Sequence, residues 1–255
     1  MFRTKVEALK ETEPLVYASL VEQRKQQEDV MDYHSRLVEI TWDVVGSFIT
    51  SDALFIDGEL AMKCNQIAEA CVSLGCKEKF SILDVGCGDG VIRSYLRDKV
   101  DEIQYVGIDL SSKMIEKAKF RLQYEKSKMK QVHGRKLKDP TFVQGNFLTN
   151  YRCKPPSRYN CVLFNGVLQF FSNKQWIQVL EQTRSLIAVG SRVVISHVQG
   201  GDFVKIEKAG NGATCLSIMP TIDELNKICD DLKCFRLLSH SPNLDEFYLV
   251  ILEAI

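Results

Sequence analysis

The sequence predicts an α/β protein with a doubly wound, seven-stranded and mostly parallel sheet, closed by an antiparallel hairpin and preceded by N-terminal helices. Three observations carry this. Beyond Lys79, short β-rich runs alternate with amphipathic helical segments, the pattern of βαβ units under helices on both faces. Segments within residues 1–78 carry apolar residues at three- and four-residue spacing, which is helical. The last two β-rich runs are separated by turn residues alone, so they must pair antiparallel.

The N-terminal segments LVYASLVEQRKQQEDVMDYHSRL, LVEITWDVVGSFI and ELAMKCNQIAEACVSLG each carry a helical apolar stripe, the last ended by Gly75. The division expected is a helical lid over 1–78 and a core over 79–255, together one compact domain. Within the core, FSILDV (80–85), QYVGID (104–109), TFVQG (141–145), YNCVLF (159–164) and SRVVISHV (191–198) read as strands. VIRSYLRDKV, SKMIEKAKFRLQYEK and KQWIQVLEQTRSLIA lie between them with a 3.6-residue period. TIDELNKICDDL opens on a Thr N-cap and an acidic first turn. CFRLLSHS and EFYLVILEAI then flank the turn Pro242-Asn243-Leu244-Asp245.

Composition narrows the class. With 33 basic and 33 acidic residues the chain carries no net charge, so no global field draws it to nucleic acid or an acidic membrane. Its apolar runs are strand-length, far short of the roughly 20 residues of a membrane helix. The amino terminus is polar and carries Glu7, Glu11 and Glu13, unlike a signal or transit peptide; a cytoplasmic protein is expected. The nine cysteines include no C-x-x-C pair, so neither a zinc site nor a disulfide framework is expected, and the bland reading is buried thiols in a reducing compartment.

The strongest signal is Ile82-Leu83-Asp84-Val85-Gly86-Cys87-Gly88-Asp89-Gly90. A buried strand runs into three alternating glycines and then a helix, which lets a ligand approach the main chain closely. Asp109 ends the next strand 19 residues after Gly90, where an acid can accept both hydroxyls of a ribose. A dinucleotide site wants G-x-G-x-x-G facing a pyrophosphate. Here Val91 stands at the third glycine position, and Asp84 and Asp89 place negative charge nearby. That disfavours phosphate and favours a cofactor bearing a sulfonium and an ammonium.

LDVGCGDG followed by YVGIDLSSKMIEKAK closely resembles the first two motifs of class I S-adenosylmethionine-dependent methyltransferases, a Rossmann-like family, and most of all its small-molecule branch. The resemblance spans about 79–198 and implies S-adenosyl-L-methionine as cofactor and S-adenosyl-L-homocysteine as product. By that likeness Asp84, Gly86 and Gly88 would face the methionine and ribose portion and Gly90 would complete the turn. Asp109 would take the ribose hydroxyls, with Leu110 and Met114 packing on the adenine. The family's acid after the third strand is replaced by Asn146, beside Phe147; its carbonyl can still accept, and the alternative is a turn asparagine. After the fourth strand, Asn165 and Gln169 are expected to line the site, although a His often stands where Gln169 does.

Methyl transfer is an in-line displacement that needs alignment more than a catalytic triad, and orientation alone can lower the barrier by ~7–11 kcal/mol. A general base matters only for an acceptor that must lose a proton. The candidates are His197, at the end of the fifth strand, and Tyr33 and His34, in the helical region; each has a plain structural alternative. Trp42 is a candidate wall of the acceptor pocket, and 200–220 a candidate roof. Nine Lys or Arg residues between Lys117 and Lys138 face one acid, Glu125. They read as a solvated helix tail, with an RNA- or protein-docking patch as the rival. The expected function is methyl transfer to O, N or C of a small organic acceptor. An RNA or protein methyltransferase and a non-catalytic cofactor-binding module are the alternatives.

Overall fold

The computed structural model describes residues 30–48, 58–72, 79–97, 99–128, 138–149 and 159–255, with positions 10, 14, 18 and 151 in addition. Its strands are β1 (Phe80–Val85), β2 (Ile103–Asp109), β3 (Thr141–Gln144), β4 (Tyr159–Asn165), β5 (Ile187–His197), β6 (Phe235–His240) and β7 (Tyr248–Ala254). They form one sheet in the order β3-β2-β1-β4-β5-β7-β6. β1 to β5 run parallel, and β7 lies antiparallel between β5 and β6.

The described helices are α1 (Val30–Phe48), α2 (Gly58–Cys71), α3 (Val91–Leu96), α4 (Ser112–Lys128), α5 (Asn173–Leu186), α6 (Gly200–Gly210) and α7 (Ile222–Leu232). β4 explains how they are layered. Successive strand side chains point to opposite faces: Cys161 and Leu163 join the core of α2 and α3, while Val162 and Phe164 join that of α5, α6 and α7. A strand covered on both sides reads as an unbroken apolar run, as Cys161-Val162-Leu163-Phe164 does. Each such side chain, fully buried, contributes about 1.5–3 kcal/mol.

Helix starts follow local chemistry. Ser172 caps α5 and Thr221 caps α7, each in a reciprocal box with Gln175 and Glu224. α1 is tied to the core where Asp43 Oδ1 accepts from Ser111 Oγ at 2.6 Å and the Lys113 amide at 3.1 Å. It thereby satisfies an otherwise unpaired N–H at the start of α4.

Two segments differ from the sequence expectation. Ile187 and Ala188, expected in a helix, begin β5 because Ile187 is fully buried against Tyr159 of β4. The pairing shifts register before resuming at Arg192, and Gly190 at φ 82° accommodates the bend. The glycine-bearing stretch after β5 is largely the helix α6, followed by turns over 211–220.

Candidate cofactor-binding site

The parallel strands deliver their carboxyl ends to one side of the sheet, where a cavity of about 370 Å³ opens. Its floor is the turn after β1. Gly86 sits at φ 69°, and a Cβ there would lie 2.6 Å from Val167 Cγ2, so both backbone and neighbour demand glycine. Gly88, at φ 53°, has open space where a Cβ would project; a side chain there would fill the room a ligand needs. The amides of Gly86 and Cys87 donate to the Ile108 carbonyl at 2.8 and 3.1 Å, locking the turn onto β2.

Asp109 completes that floor. Its Oδ2 accepts from the Gly88 amide and its Oδ1 from the Ser111 amide, each at 2.9 Å. Each oxygen keeps a lone pair for a further donor. Burial pushes this carboxyl up to about 6, with the two amides pulling it down and Asp43 adding to the rise. Asp84 lies beneath the turn, almost wholly buried, and its Oδ2 accepts from the Tyr105 hydroxyl. Its Oδ1 has no partner, and burial pushes this carboxyl up to about 7 despite the Tyr105 bond, with Asp109 and Asp89 adding to the rise. Asp89 is no free anion: Arg121 of α4 pairs with its carboxylate and donates to its carbonyl. The negative charge that the sequence placed near the ligand is therefore muted, by burial at Asp84 and Asp109 and by Arg121 at Asp89.

Of the residues singled out from the sequence, Gly86, Gly88, Asp109, Leu110, Met114, Asn146 and Phe147 line this cavity, and so do Asn165, Gln169, His197 and His34. Asp84 and Gly90 do not. Asp84 supports the turn from below, and Gly90 begins α3 against the Phe142 ring. Tyr33 lies outside the described side chains. Asn146 behaves as a turn asparagine: its Oδ1 takes the Leu148 amide, while Nδ2 donates to Ser35 Oγ of α1. Asn165 Oδ1 accepts from Ser196 Oγ of β5.

The roof comes from α1, whose His34, Val38 and Trp42, four residues apart, line the cavity along one helix face. His34 Nε2 meets the Phe170 carbonyl at 2.8 Å and Nδ1 the Ala213 carbonyl at 3.2 Å. Burial lowers this imidazole below its ordinary value; the neutral ring has one N–H and donates to one of the two carbonyls. His197, nearly buried, stacks on Phe203 of α6 with centroids 5.6 Å apart. Phe170, Phe171, Phe203 and Glu207 also line the cavity; the sequence did not single them out individually, although the first two belong to the run Leu168-Gln169-Phe170-Phe171 and the α6 pair to the stretch 200–220 read as a candidate roof.

In the basic segment, Arg121 is paired with Asp89, Lys126 with Asp139 and Lys138 with Glu102; 129–137 lie outside the described residues. No described helix is long and apolar enough to cross a bilayer. No group of three or more His, Cys, Asp or Glu positioned to hold a metal ion occurs among the described residues.

A sheet ordered 3-2-1-4-5-7-6 with β7 alone reversed is the class I S-adenosylmethionine-dependent methyltransferase fold. Residues 83–193 match the family model described as a methyltransferase domain. Among solved structures it is similar to the magnesium protoporphyrin IX methyltransferase of Synechocystis PCC 6803 with bound S-adenosylhomocysteine. That match has TM-score 0.61 at 16% identity, over 87% of this chain and 100% of the other. The N-methyltransferase NodS of Bradyrhizobium japonicum, also with S-adenosylhomocysteine, matches at TM-score 0.57 and 12% identity, over 85% and 98%. An O-methyltransferase family protein of Burkholderia thailandensis matches at TM-score 0.56 and 14% identity, over 84% and 59%. No curated protein matches by sequence.

Proposed function

We propose that this chain is an enzyme that moves a methyl group from S-adenosylmethionine to an O, N or C atom of a small organic acceptor. The observation that carries the reading is the floor of the cavity: a glycine turn with open space over Gly88, held by a carboxylate that keeps one lone pair on each oxygen. Asp109 would accept the ribose hydroxyls. Leu110, Met114 and Phe147 would pack on the adenine, with Asn146 at its edge, and Gly86, Gly88 and Asn165 would face the methionine end. Asp84 would support from beneath, its unpartnered oxygen adding negative potential below a cationic ligand. The names of the similar structures, an N-methyltransferase and two others that act by methyl transfer, fit this reading.

S-adenosylmethionine held by Gly86, Gly88 and Asp109 would supply an electrophilic methyl carbon, its sulfur keeping the pair of the broken bond as an electron pair of the acceptor O, N or C atom takes its place. The chain contributes the rest. α1 covers the cavity and excludes water, and the turn and Asp109 hold one partner in line with the other. An O–H or N–H acceptor must also shed a proton. His197 lines the cavity and can receive it, whereas the His34 ring is directed at backbone carbonyls. The pairing of Arg121, Lys126 and Lys138 leaves the RNA reading with little support. Cytoplasmic residence is part of the proposal; Cys71 and Cys161, buried and interacting with each other, form no disulfide, which fits a reducing compartment.

Calorimetry tests the cofactor. S-adenosylhomocysteine is expected to bind and NAD is not; binding of NAD alone would sink the proposal.

A further inference from the structure

Gln169 is 2% exposed and lines the cavity, yet its Oε1 has no hydrogen-bond partner. The amide orientation is not arbitrary. Nε2 donates to the Gly166 carbonyl at 3.0 Å, and a carbonyl can face only the N–H end of the amide. The backbone carbonyl of Gln169 is held as well, accepting from the amides of Leu216 and Ser217 at 2.8 and 3.1 Å. A buried acceptor fixed in direction without a donor is costly, and its natural complement is a ligand O–H or N–H.

The surroundings say what kind of ligand. Trp42 meets Phe170 edge to face, with centroids 5.9 Å apart, and His197 stacks on Phe203. All four rings line the cavity. Flat walls of this kind take planar rings through offset and edge contacts. Among the described residues no lysine or arginine lines the cavity, while Asp89, Asp109 and Glu207 do, so the side chains offer an anionic acceptor no compensating charge. Gln169 also neighbours the base candidate, since a Cβ on Gly166, whose carbonyl holds the Gln169 amide, would lie 3.8 Å from His197 Cδ2.

We infer that Gln169 selects the methyl acceptor: a planar, uncharged aromatic molecule presenting an O–H or N–H to Oε1, between the Trp42/Phe170 and His197/Phe203 walls. This rests on the methyltransferase reading. The amide oxygen is too weak a base to take the proton; it recognises and orients the donor.

The test uses protein loaded with S-adenosylhomocysteine and two matched probe pairs, indole with 1-methylindole and catechol with 1,2-dimethoxybenzene, titrated by ligand-detected NMR. Wild type is expected to bind the donor-bearing member of each pair roughly tenfold tighter. Gln169→Leu is expected to bring that ratio to about one while S-adenosylhomocysteine affinity stays within about twofold. Gln169→Met serves if the leucine variant does not fold. Equal affinities within each pair for the wild type overturn the inference without any variant. So does a variant that keeps the preference but loses cofactor-product affinity, which would assign Oε1 to the ammonium of the cofactor. Failure of the wild type to bind S-adenosylhomocysteine at all overturns the methyltransferase reading and this inference with it.

Discussion

Lowering the pH should release the cofactor before it unfolds the protein. Without ligand, burial holds the Asp84 carboxyl up at about 7 and the Asp109 carboxyl at about 6. A ligand that brings a cation and two hydroxyl donors favours the ionised forms, so both carboxyls are more acidic in the complex. Binding then expels protons, and affinity declines as pH falls through 7 and then 6. Going from about pH 7.5 to about pH 5, Asp109 alone weakens binding about tenfold; if Asp84 must also ionise, the loss approaches 10³-fold. Isothermal titration of S-adenosylhomocysteine in buffers of different ionisation heat reads affinity and proton release together. Asp109→Asn should bind weakly at every pH and remove the steeper part below 6. Affinity constant within twofold across this window, with no proton release, would refute the reasoning.

The same shifts set the stability of the ligand-free protein. Since the Asp84 carboxyl is raised above its unfolded value, its contribution is fully present below about pH 4 and is lost as pH rises through about 7. Asp84→Asn should therefore melt relatively higher against wild type at pH 8 than at pH 5, by calorimetry. Tyr105→Phe removes the donor to Asp84 Oδ2 and should cost about 1–3 kcal/mol, more above pH 7, where the carboxylate is charged; denaturant titration at two pH values checks this. Gly86→Val places atoms on the Val167 side chain at a positive φ and should cost roughly 2–4 kcal/mol while abolishing cofactor binding. Asp43→Ala removes the bonds that tie α1 to α4 and should cost about 1–2 kcal/mol. It should also speed hydrogen exchange in α1 and weaken S-adenosylhomocysteine binding, because His34, Val38 and Trp42 lie on that helix.

Strand and helix alternation, the glycine turn and the acid ending β2 were legible because each is a local pattern. Alternating glycines after an apolar run permit a turn that other residues resist, and parallel strands alternate with amphipathic helices along the chain. The boundary at Ile187 was not legible: the apolar stripe of α5 continues into it, and only pairing with Tyr159 makes it strand. Asp84 shows the limit at the site. The family resemblance put it beside the methionine and ribose portion; in the fold its carboxylate lies under the turn, accepting from Tyr105.

The sequence by itself determined the sheet, its order of elements, the glycine turn after β1 and the carboxylate that ends β2. Only the tertiary structure decided which side chains close the other end. His34 and Trp42 come from a helix before the sheet, Gln169 from the turn after β4, and Phe203 and Glu207 from one after β5. Their convergence depends on how helices pack over a sheet edge, and no spacing along the chain encodes it. The charge of the site was decided there too, because burial raises Asp84 and Asp109 and Arg121 neutralises Asp89. Solvation and pairing are properties of the folded neighbourhood, whatever residue types the chain supplies.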